Sequence, residues 1–476
     1  MVLPRRIAAV LILVPILVIP CQASANPFGF FGIESALKND YLEDLGVRFI
    51  RGNILFSDTY SIASGEWSFR EKDDKLRRVY ARGGEMVVTF ISPTNMDKIR
   101  AEYYRNFILL CVERYDGDAD YGCTQSPPDC YLPGDQMYPF WSETERPAVK
   151  FWQMENEIDY TTMDMYWITH PGLYAEMTRL VYPLVKQSCP DCTVLLGSLF
   201  LQDMELPYFE LLFSELLEFD VLDFHRFGLV SQNHFKDFES RINFLKYLKE
   251  RYRGRRIWMT ETSTYSDCPR KPDGTFLPWQ SERQQARELL KLYVHFGSLG
   301  VEKIFWTFLH EQRDSSGVDN NFFWYTGLVY DGFGEVDKGA GVKKLAYFTY
   351  KLMVEKLGTA DWTQISSSVL SNHVYQYRFL RKGRPVYVLW YDSFNGTAAT
   401  KKVTLDATDV QTAQVKVTKA IPRFKAGAKA DQVPFEEVFK SWSLPVTDGK
   451  TVALELKKDP VFVEEEGPLL GMDSKP

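Results

Sequence analysis

The sequence predicts an α/β fold, a (β/α)8 TIM barrel followed by a C-terminal antiparallel β-sandwich. Short runs rich in β-branched and aromatic residues alternate eight times with stretches of helical apolar spacing. The repeats span roughly 250 to 300 residues, and no glycine-rich dinucleotide turn follows the first run, which favours a closed parallel barrel over an open sheet. After about residue 360 the helical spacing gives way to the alternation typical of antiparallel strands.

Each predicted barrel strand is short and apolar, as expected for strands that are buried on both faces. The eight are FGFFGIE (28–34), VRFIRGN (47–53), MVVTFIS (86–92), VKFWQMEN (149–156), TVLLGS (193–198), DVLDFHRFG (220–228), RRIWMTET (255–262) and EKIFWTFL (302–309). Helical spacing lies between them, for example in YYRNFILLCVERY before the fourth strand and ERQQARELLKLYVHFGSLG before the eighth.

The C-terminal region, from about Trp362, contains alternating runs separated by turn residues. They are VYQYRFL, PVYVLWY, KKVTLD, AQVKVTK and DPVFVEE, and they predict a small β-sandwich. We therefore expect a barrel domain over residues 26–358, an accessory sandwich over 359–466 and a flexible polar tail over 467–476.

The N-terminus is typical of a secretory signal peptide. MVLPRR precedes a mostly apolar stretch, 7–20, and the small residues Ala23-Ser24-Ala25 follow it. We expect a signal peptide over 1–25, cleavage after Ala25 and a secreted or periplasmic protein. Lipidation of Cys21 is an alternative, but Pro20 stands where a small residue is expected. No later stretch is long and apolar enough to span a membrane.

Composition excludes some classes of partner. The net charge of −7 makes the chain a poor candidate for binding nucleic acid. Aromatic residues make up 15% of the chain and offer flat faces on which sugars stack, although a phenylalanine-rich core accounts for most of them.

The cysteines predict disulfides rather than a metal site. In an oxidising compartment, Cys123 with Cys130 and Cys189 with Cys192 are close enough in sequence to pair. The second pair lies in the turn SCPDC before an apolar strand, which favours a structural clip over a redox motif. Neither a second Cys-x-x-Cys nor a histidine pair at ligand spacing is present. The run DGDAD lacks the glycine at position six and the closing Glu of a calcium loop, so we expect neither metal nor cofactor.

Two glutamates stand where the chemistry of such a barrel is found, at the C-terminal ends of its strands. In FWQMENEIDY, Glu157 follows Asn156 just past the fourth strand, and in WMTETSTY, Glu261 ends the seventh. A glutamate in an apolar strand is costly unless it is paired or functional. Of the nearby carboxylates, we expect Glu155 to be structural and Asp159 to be a loop or cap residue.

With these residues, the chain resembles the retaining glycoside hydrolases of clan A. Their barrels place the acid/base after an Asn on strand four and the nucleophile on strand seven. The similarity covers about residues 28–355, and the sandwich resembles the accessory domain of family 39 and related families. Arg51 in VRFIRGN matches the clan's strand-two arginine, His225 the strand-six histidine, and Trp306 the strand-eight tryptophan that floors the sugar site.

One position departs from the clan's pattern. Many members carry a tyrosine two residues after the strand-six histidine, where it holds the nucleophile, but this chain has Phe227. The resemblance therefore leaves that contact to another residue, such as Tyr265, or to none.

The resemblance implies a secreted retaining glycosidase that acts on a carbohydrate substrate. Glu261 would attack the anomeric carbon, and a nearby Arg51 would favour its ionised form. Glu157 would protonate the leaving oxygen, Asn156 would bind a sugar 2-hydroxyl, and His225 would orient a carboxylate or a substrate hydroxyl. Two alternatives stay open: a transglycosidase with the same covalent intermediate, and a non-catalytic carbohydrate-binding or envelope-assembly protein on the same barrel.

Overall fold

The computed structural model of the 476-residue chain describes fourteen stretches of residues. They are 29–34, 39–61, 66–92, 101–117, 146–160, 166–201, 207–228, 232–252, 255–269, 274–311, 322–333, 338–370, 373–392 and 400–467. The predicted signal peptide and the predicted Cys123–Cys130 pair lie outside them.

The first part of the chain forms the predicted barrel. Its strands are β1 (Phe31–Glu34), β2 (Phe49–Leu55), β3 (Tyr60–Ser61), β4 (Glu66–Trp67), β5 (Glu85–Ile91), β6 (Phe151–Met154), β7 (Thr193–Leu195), β8 (Val221–Phe227), β9 (Arg256–Ser263) and β10 (Lys303–Trp306). Eight of them close a parallel barrel in the order β1-β10-β9-β8-β7-β6-β5-β2, and β3 with β4 forms a separate antiparallel hairpin. The predicted barrel is confirmed, with β6 as its fourth strand and β9 as its seventh.

Helices connect the barrel strands. They are α1 (Asn39–Leu45), α2 (Phe56–Thr59), α3 (Arg70–Tyr80), α4 (Ala101–Tyr115), α5 (Tyr166–Thr169), α6 (Pro171–Ser188), α7 (Pro207–Ser214), α8 (Gln232–Arg251), α9 (Glu282–Ser298) and α10 (Leu345–Leu357), with a 3-10 helix at Phe322–Tyr325. Helix α9 begins at a serine cap, where Ser281 Oγ accepts a hydrogen bond from the Gln284 amide at 3.2 Å. No described helix is long and apolar enough to cross a membrane.

The barrel interior changes from apolar to polar along the strands. Its lower layer, toward the N-terminal ends of the strands, is an apolar cluster made of Phe49, Val87, Leu195, Val221, Trp258 and Phe305. Side chains two residues apart on a strand share a face, so the next layer consists of the residues two positions further on. That layer is largely polar and includes Arg51, Thr89, Asp223, Thr260 and Thr307, all with no exposed surface. This step places charged groups at the C-terminal mouth of the barrel.

The second part of the chain is antiparallel, and its sandwich architecture confirms the predicted fold class. Its elements are β11 (Ser366–Leu370), β12 (Val374–Arg381), β13 (Arg384–Tyr391), β14 (Lys401–Asp406), β15 (Gln414–Lys419), α11 (Gly427–Ala430), α12 (Phe435–Val438), β16 (Ser441–Pro445), β17 (Thr451–Leu456) and β18 (Val461–Glu466). A six-stranded sheet, β11-β12-β13-β18-β15-β16, packs against the pair β14-β17 over its own apolar core.

Strand β13 joins the two domains, because its alternate side chains enter two different cores. Tyr387 and Leu389 face the core of the sandwich, whereas Val388 and Trp390 belong to the main core of the barrel domain. A buried ion pair with α9 adds to this packing: Lys291 Nζ lies 2.7 Å from Asp392 Oδ2, and both side chains are buried. The sandwich therefore covers α9 of the barrel.

The predicted pairing of Cys189 with Cys192 is confirmed. The two cysteines form a disulfide with a Cα–Cα distance of 5.3 Å, and they link the end of α6 to the start of β7. Cys111 and Cys268 are free thiols.

Candidate active site

Arg51 lies at the centre of the mouth and is fully buried. Its Nε donates to Gln153 Oε1 at 2.8 Å, and its Nη2 donates to Asn156 Oδ1 at 2.6 Å. Its Nη1 donates both to Glu34 Oε1 at 3.0 Å and to Glu261 Oε1 at 2.5 Å. One planar guanidinium thus fixes residues from three other parts of the barrel, including the expected contact with Glu261.

Glu261 faces the mouth because β9 carries a bulge. Phe224 of β8 pairs with Met259, but the next residue, His225, pairs with Glu261. The register with β10 shifts in the same stretch of β9. An extra residue interrupts the alternation of the strand, so that Thr260 and Glu261, although adjacent, both point into the barrel.

Glu157 is held by an irregular backbone at the end of β6. Its φ is +49°, and that of Glu155 is +75°, a left-handed conformation that non-glycine residues adopt rarely. The Glu157 amide donates to Ser198 Oγ at 3.0 Å. Burial raises the pKa of the Glu157 carboxyl to about 7, against the opposing charge of Arg51.

His225 connects the two predicted catalytic carboxylates. Its Nδ1 lies 2.9 Å from Glu157 Oε1, and its Nε2 lies 3.1 Å from Thr260 Oγ1 and 3.7 Å from Glu261 Oε1. Burial lowers the pKa of the imidazole to about 3, so the ring is neutral at ordinary pH. One oxygen of Glu157, one oxygen of Glu261 and a ring nitrogen of His225 all lie within 4.8 Å of one another.

Several polar residues of the mouth were not predicted from the sequence. Glu34 accepts from Arg51 and, through Oε2, from Thr307 Oγ1 at 3.3 Å. Burial and then the charge of Glu261 raise the pKa of Glu34 well above its usual value. Asp223 is fully buried, and burial raises its pKa to about 7. Asp223 lies two positions beyond Val221, and Glu34 lies two positions beyond Gly32, which packs against the Phe305 ring of the lower layer. The period-2 pattern of each strand was therefore the signal available.

The two other carboxylates near Glu157 have structural contacts. Glu155 Oε1 accepts a hydrogen bond from the Ser92 amide at 2.8 Å. Asp159 accepts from the amides of Phe200 at 2.6 Å and Leu201 at 2.7 Å. These contacts tie the loop after β6 to the neighbouring segments, in agreement with the structural roles expected for both residues.

Tyr265 does not hold Glu261. Its hydroxyl donates to the carbonyl of Pro278 at 2.7 Å, and its ring packs edge-on against Phe322. Of the two possibilities that the sequence left open, a contact from Tyr265 or none, the first is wrong, and Glu261 is held by Arg51. Tyr265 lies in the loop beyond β9, which ends at Ser263.

Trp306 does not offer a sugar platform, since it has no exposed surface. The inward residues of this segment are Phe305 and Thr307, so Trp306 points outward into the main core, where its indole N–H donates to the Thr326 carbonyl at 3.0 Å. At the rim, the half-buried ring of Phe227 lies 4.9 Å from that of Phe323. Both rings are half-buried, and neither residue was predicted to bind a sugar.

Glu157, His225 and Glu261 are ligand types that bind divalent metals. However, Arg51 already contacts Glu261 at 2.5 Å, and its positive charge opposes a second cation at the same carboxylate. The contact with Arg51 therefore disfavours a metal ion at this cluster.

Comparison with known proteins agrees with this architecture. No known family model and no curated protein matches the sequence. Among solved structures, a family 39 glycoside hydrolase from Bacteroides cellulosilyticus is 14% identical over 92% of this chain and 80% of its own, with a TM-score of 0.58. A family 51 α-L-arabinofuranosidase from Thermotoga petrophila is 12% identical over 90% and 89%, with a TM-score of 0.56.

A monomeric β-xylosidase from Caulobacter crescentus is also 12% identical, over 92% of this chain and 97% of its own, with a TM-score of 0.55. The chain shares the fold of these glycoside hydrolases. The resemblance to family 39 drawn from the sequence is thus confirmed for the fold. At such low identity, the likeness shows the fold and not the roles of individual residues.

Proposed function

We propose that the protein is a retaining glycosidase that cleaves β-glycosidic bonds of an oligo- or polysaccharide by double displacement. The observation that carries the proposal is the approach of Glu157 and Glu261, whose nearest carboxylate oxygens lie within 4.8 Å. Retaining glycosidases hold their two carboxyl groups roughly 5 to 5.5 Å apart, whereas inverting enzymes need roughly 6.5 to 9.5 Å to admit a water. The short separation supports retention.

In the first step, a carboxylate oxygen of Glu261 attacks the anomeric carbon. The bond from that carbon to the leaving oxygen breaks, and Glu157 gives its proton to that oxygen. Arg51 stabilises the negative charge of Glu261 before the attack. Because burial raises the pKa of Glu157 to about 7, a large share of its carboxyl groups carry the required proton near neutral pH.

In the second step, Glu157 acts as the base. It takes a proton from a water molecule, whose oxygen attacks the anomeric carbon and releases Glu261. The proton is then back on Glu157, and the sugar has kept its configuration. The half-buried rim aromatics Phe227 and Phe323 would stack on the substrate.

We also infer that the protein is exported and cleaved after Ala25, on the strength of the charged start, the apolar run and the Ala-Ser-Ala sequence. Mass spectrometry of the exported protein tests this inference. A mature chain beginning at Met1, or one carrying a lipid on Cys21, would contradict it.

The catalytic roles are tested by replacing each glutamate and adding azide. Glu261→Gly should abolish turnover on aryl β-glycosides, because the covalent intermediate needs this carboxylate. Glu157→Ala should spare substrates whose leaving group needs no proton. With azide, Glu157→Ala should give a glycosyl azide of retained configuration and Glu261→Gly an inverted one. Glu176→Ala, an exposed glutamate on α6, is the matched control and should keep wild-type turnover.

The outcomes separate the alternatives. Hydrolysis that persists in Glu261→Gly, or azide products with exchanged configurations, would contradict the assignment of nucleophile and acid. A protein that binds polysaccharide but turns over none of a panel of aryl glycosides and polysaccharides would be a non-catalytic binding protein. Transfer to an added sugar acceptor in preference to water would identify a transglycosidase.

A further inference from the structure

A continuous line of hydrogen bonds leads from Glu157 into the barrel. Glu157 Oε1 lies 2.9 Å from His225 Nδ1, and His225 Nε2 lies 3.1 Å from Thr260 Oγ1. Thr260 Oγ1 lies in turn 2.8 Å from Asp223 Oδ2. His225, Thr260 and Asp223 have no exposed surface. The mechanism proposed above uses only the outer end of this line.

Donor and acceptor counting fixes where the hydrogens lie when Asp223 is ionised. Asp223 then accepts from Thr260 Oγ1, from the Thr260 amide at 3.2 Å and from Gln153 Nε2. Since the hydroxyl has one hydrogen, Thr260 can only accept from His225, which must carry its hydrogen on Nε2. The neutral ring then has a bare Nδ1, so the hydrogen between it and Glu157 belongs to Glu157.

The opposite arrangement uses the same contacts with every hydrogen moved by one bond. Glu157 passes its proton to Nδ1, Nε2 passes its proton to Thr260 Oγ1, and Thr260 passes its proton to Asp223 Oδ2. No hydrogen is gained or lost and the imidazole ends neutral, as the other tautomer. The net result is one proton moved from Glu157 to Asp223.

We propose that Asp223, Thr260 and His225 form a proton relay in which buried Asp223 stores and returns the proton of Glu157. In this relay, Thr260 and Asp223 are positioning residues that act on the substrate only through Glu157. The link to catalysis rests on the proposed function, because that function gives Glu157 its acid/base role. The proton transfer between Glu157 and Asp223 does not depend on the proposed function.

The two ends of the line, Glu157 and Asp223, have similar pKa values. Burial raises the pKa of both Glu157 and Asp223 to about 7, and Arg51 opposes the rise at both. The burial that lowers the pKa of His225 to about 3 makes a stable imidazolium unfavourable. The other titratable or polar groups that face the line are Asp159 beside Glu157, Glu261 beside His225 and Asp223, and Tyr174 and Gln153 beside Asp223.

The relay changes the pH range in which Glu157 holds a proton. Between its two macroscopic pKa values the pair shares one proton, and the charge of ionised Asp223 makes the last proton harder to remove from Glu157. Without that charge, or without the hydroxyl that connects the two ends, Glu157 should lose its proton at lower pH. The alkaline limb of kcat/KM on a substrate with a poor leaving group reports this loss.

The first test needs no substrate and uses the full-length protein. ¹⁵N NMR of the histidine side chains, with His225→Gln to assign the signal, should show a neutral His225 ring near pH 7, where Glu157 and Asp223 share one proton, with nitrogen shifts that average the Nε2–H and Nδ1–H tautomers. The relay is overturned if His225 titrates to imidazolium in this range or keeps one tautomer throughout. A protein without glycosidase activity could still pass this test, so failure of the proposed function is distinguishable.

The second test is kinetic and uses conservative pairs. Asp223→Asn and Thr260→Val should each shift the alkaline limb of the kcat/KM profile to lower pH, by roughly one pH unit. Thr260→Ser keeps the hydroxyl, so its alkaline limb should stay at the wild-type pH. Thr89→Val removes a buried hydroxyl of the same layer that bonds Gln153 but lies outside the relay, so its limb should not move. Alkaline limbs at the wild-type position in both Asp223→Asn and Thr260→Val would overturn the relay.

Discussion

Two polar clusters in this molecule, one buried and one partly buried, have different charge balances. The mouth cluster consists of Glu34, Arg51, Glu157, Asp223, His225 and Glu261. The interface cluster, between α9 and the sandwich, consists of Arg283, Arg287, Glu288, Lys291, Asp392 and Asp459. The mouth cluster thus sets four carboxyl groups against one guanidinium, whereas the interface cluster sets three carboxyl groups against three cations.

The pKa directions follow from this difference. In the mouth cluster, burial outweighs Arg51 and raises the pKa values of Glu34, Glu157 and Asp223. In the interface cluster, Arg287 and Arg283 overcome the burial of Asp459 and lower its pKa, whereas at Glu288 burial outweighs the cations and raises the pKa to about 7. A cluster short of cations keeps several carboxyl groups protonated near neutral pH, while direct contact with two arginines keeps Asp459 ionised. The first suits catalysis and the second suits the docking of two domains.

The largest expected effect is the loss of the guanidinium from the mouth. Arg51→Met removes the cation that contacts Glu261, Glu34 and Asn156, so Glu261, the proposed nucleophile, loses both its counter-ion and its orientation. We expect kcat/KM to fall by roughly 10³-fold. Steady-state kinetics of the folded variant checks this, with circular dichroism to confirm folding. A loss below tenfold would show that the mouth does not depend on its single cation.

The matching change at the interface should affect stability instead. Lys291→Met leaves Asp392 buried without the ammonium that lies 2.7 Å away, which costs roughly 3 to 5 kcal/mol of unfolding free energy. Denaturant unfolding measures the loss. The double variant Lys291→Met/Asp392→Leu should recover much of it, and both should keep the wild-type kcat per folded molecule. A drop in kcat would mean that the two clusters are coupled.

The sequence predicted which strands and residues meet at the site better than the direction of their side chains. All eight barrel strands and the meeting of Arg51, Asn156, Glu157, His225 and Glu261 follow from strand order, because parallel strands in a barrel present their C-terminal ends together. The catalytic roles of these residues stay predictions. What the sequence did not predict is which way each side chain points along a strand.

The bulge in β9 illustrates the reason. One extra residue changes the phase of alternation, so Thr260 and Glu261 share a face and Tyr265 falls outside the site. In IFWTF, a buried strand has aromatic residues on both faces, and nothing local shows whether Phe305 or Trp306 faces inward. Glu34 and Asp223 were overlooked because a lone carboxylate in an apolar run does not reveal partners that are distant in sequence.

A smaller effect, with a clear pH dependence, is expected at Glu288 in the interface cluster. Burial raises its pKa from 4.5 to about 7, against Lys291 and Arg287. The stabilisation from its proton is therefore complete below about pH 4 and is lost as pH rises through about 7. Glu288→Gln, permanently neutral, should match the wild type at pH 4 and exceed its unfolding free energy by roughly 2 to 3 kcal/mol at pH 8. Equal stability at pH 8 would contradict a costly buried charge.

The smallest effect, with the opposite sign, is expected at Asp459 in the same cluster. Arg287 Nε donates to it at 2.8 Å and Arg283 Nε at 3.1 Å, and these contacts lower its pKa in spite of burial. Because the folded pKa lies below the unfolded one, the stabilisation is present above about pH 4 and is lost as pH falls through the folded value. Asp459→Asn should therefore unfold more easily than the wild type by about 1 kcal/mol at pH 7, with the difference vanishing in acid. Thermal unfolding of both proteins across pH 2.5 to 8 checks this. If the deficit instead grew as pH fell, the cations of the interface would not be matched to their carboxylates, and its contrast with the mouth cluster would not hold.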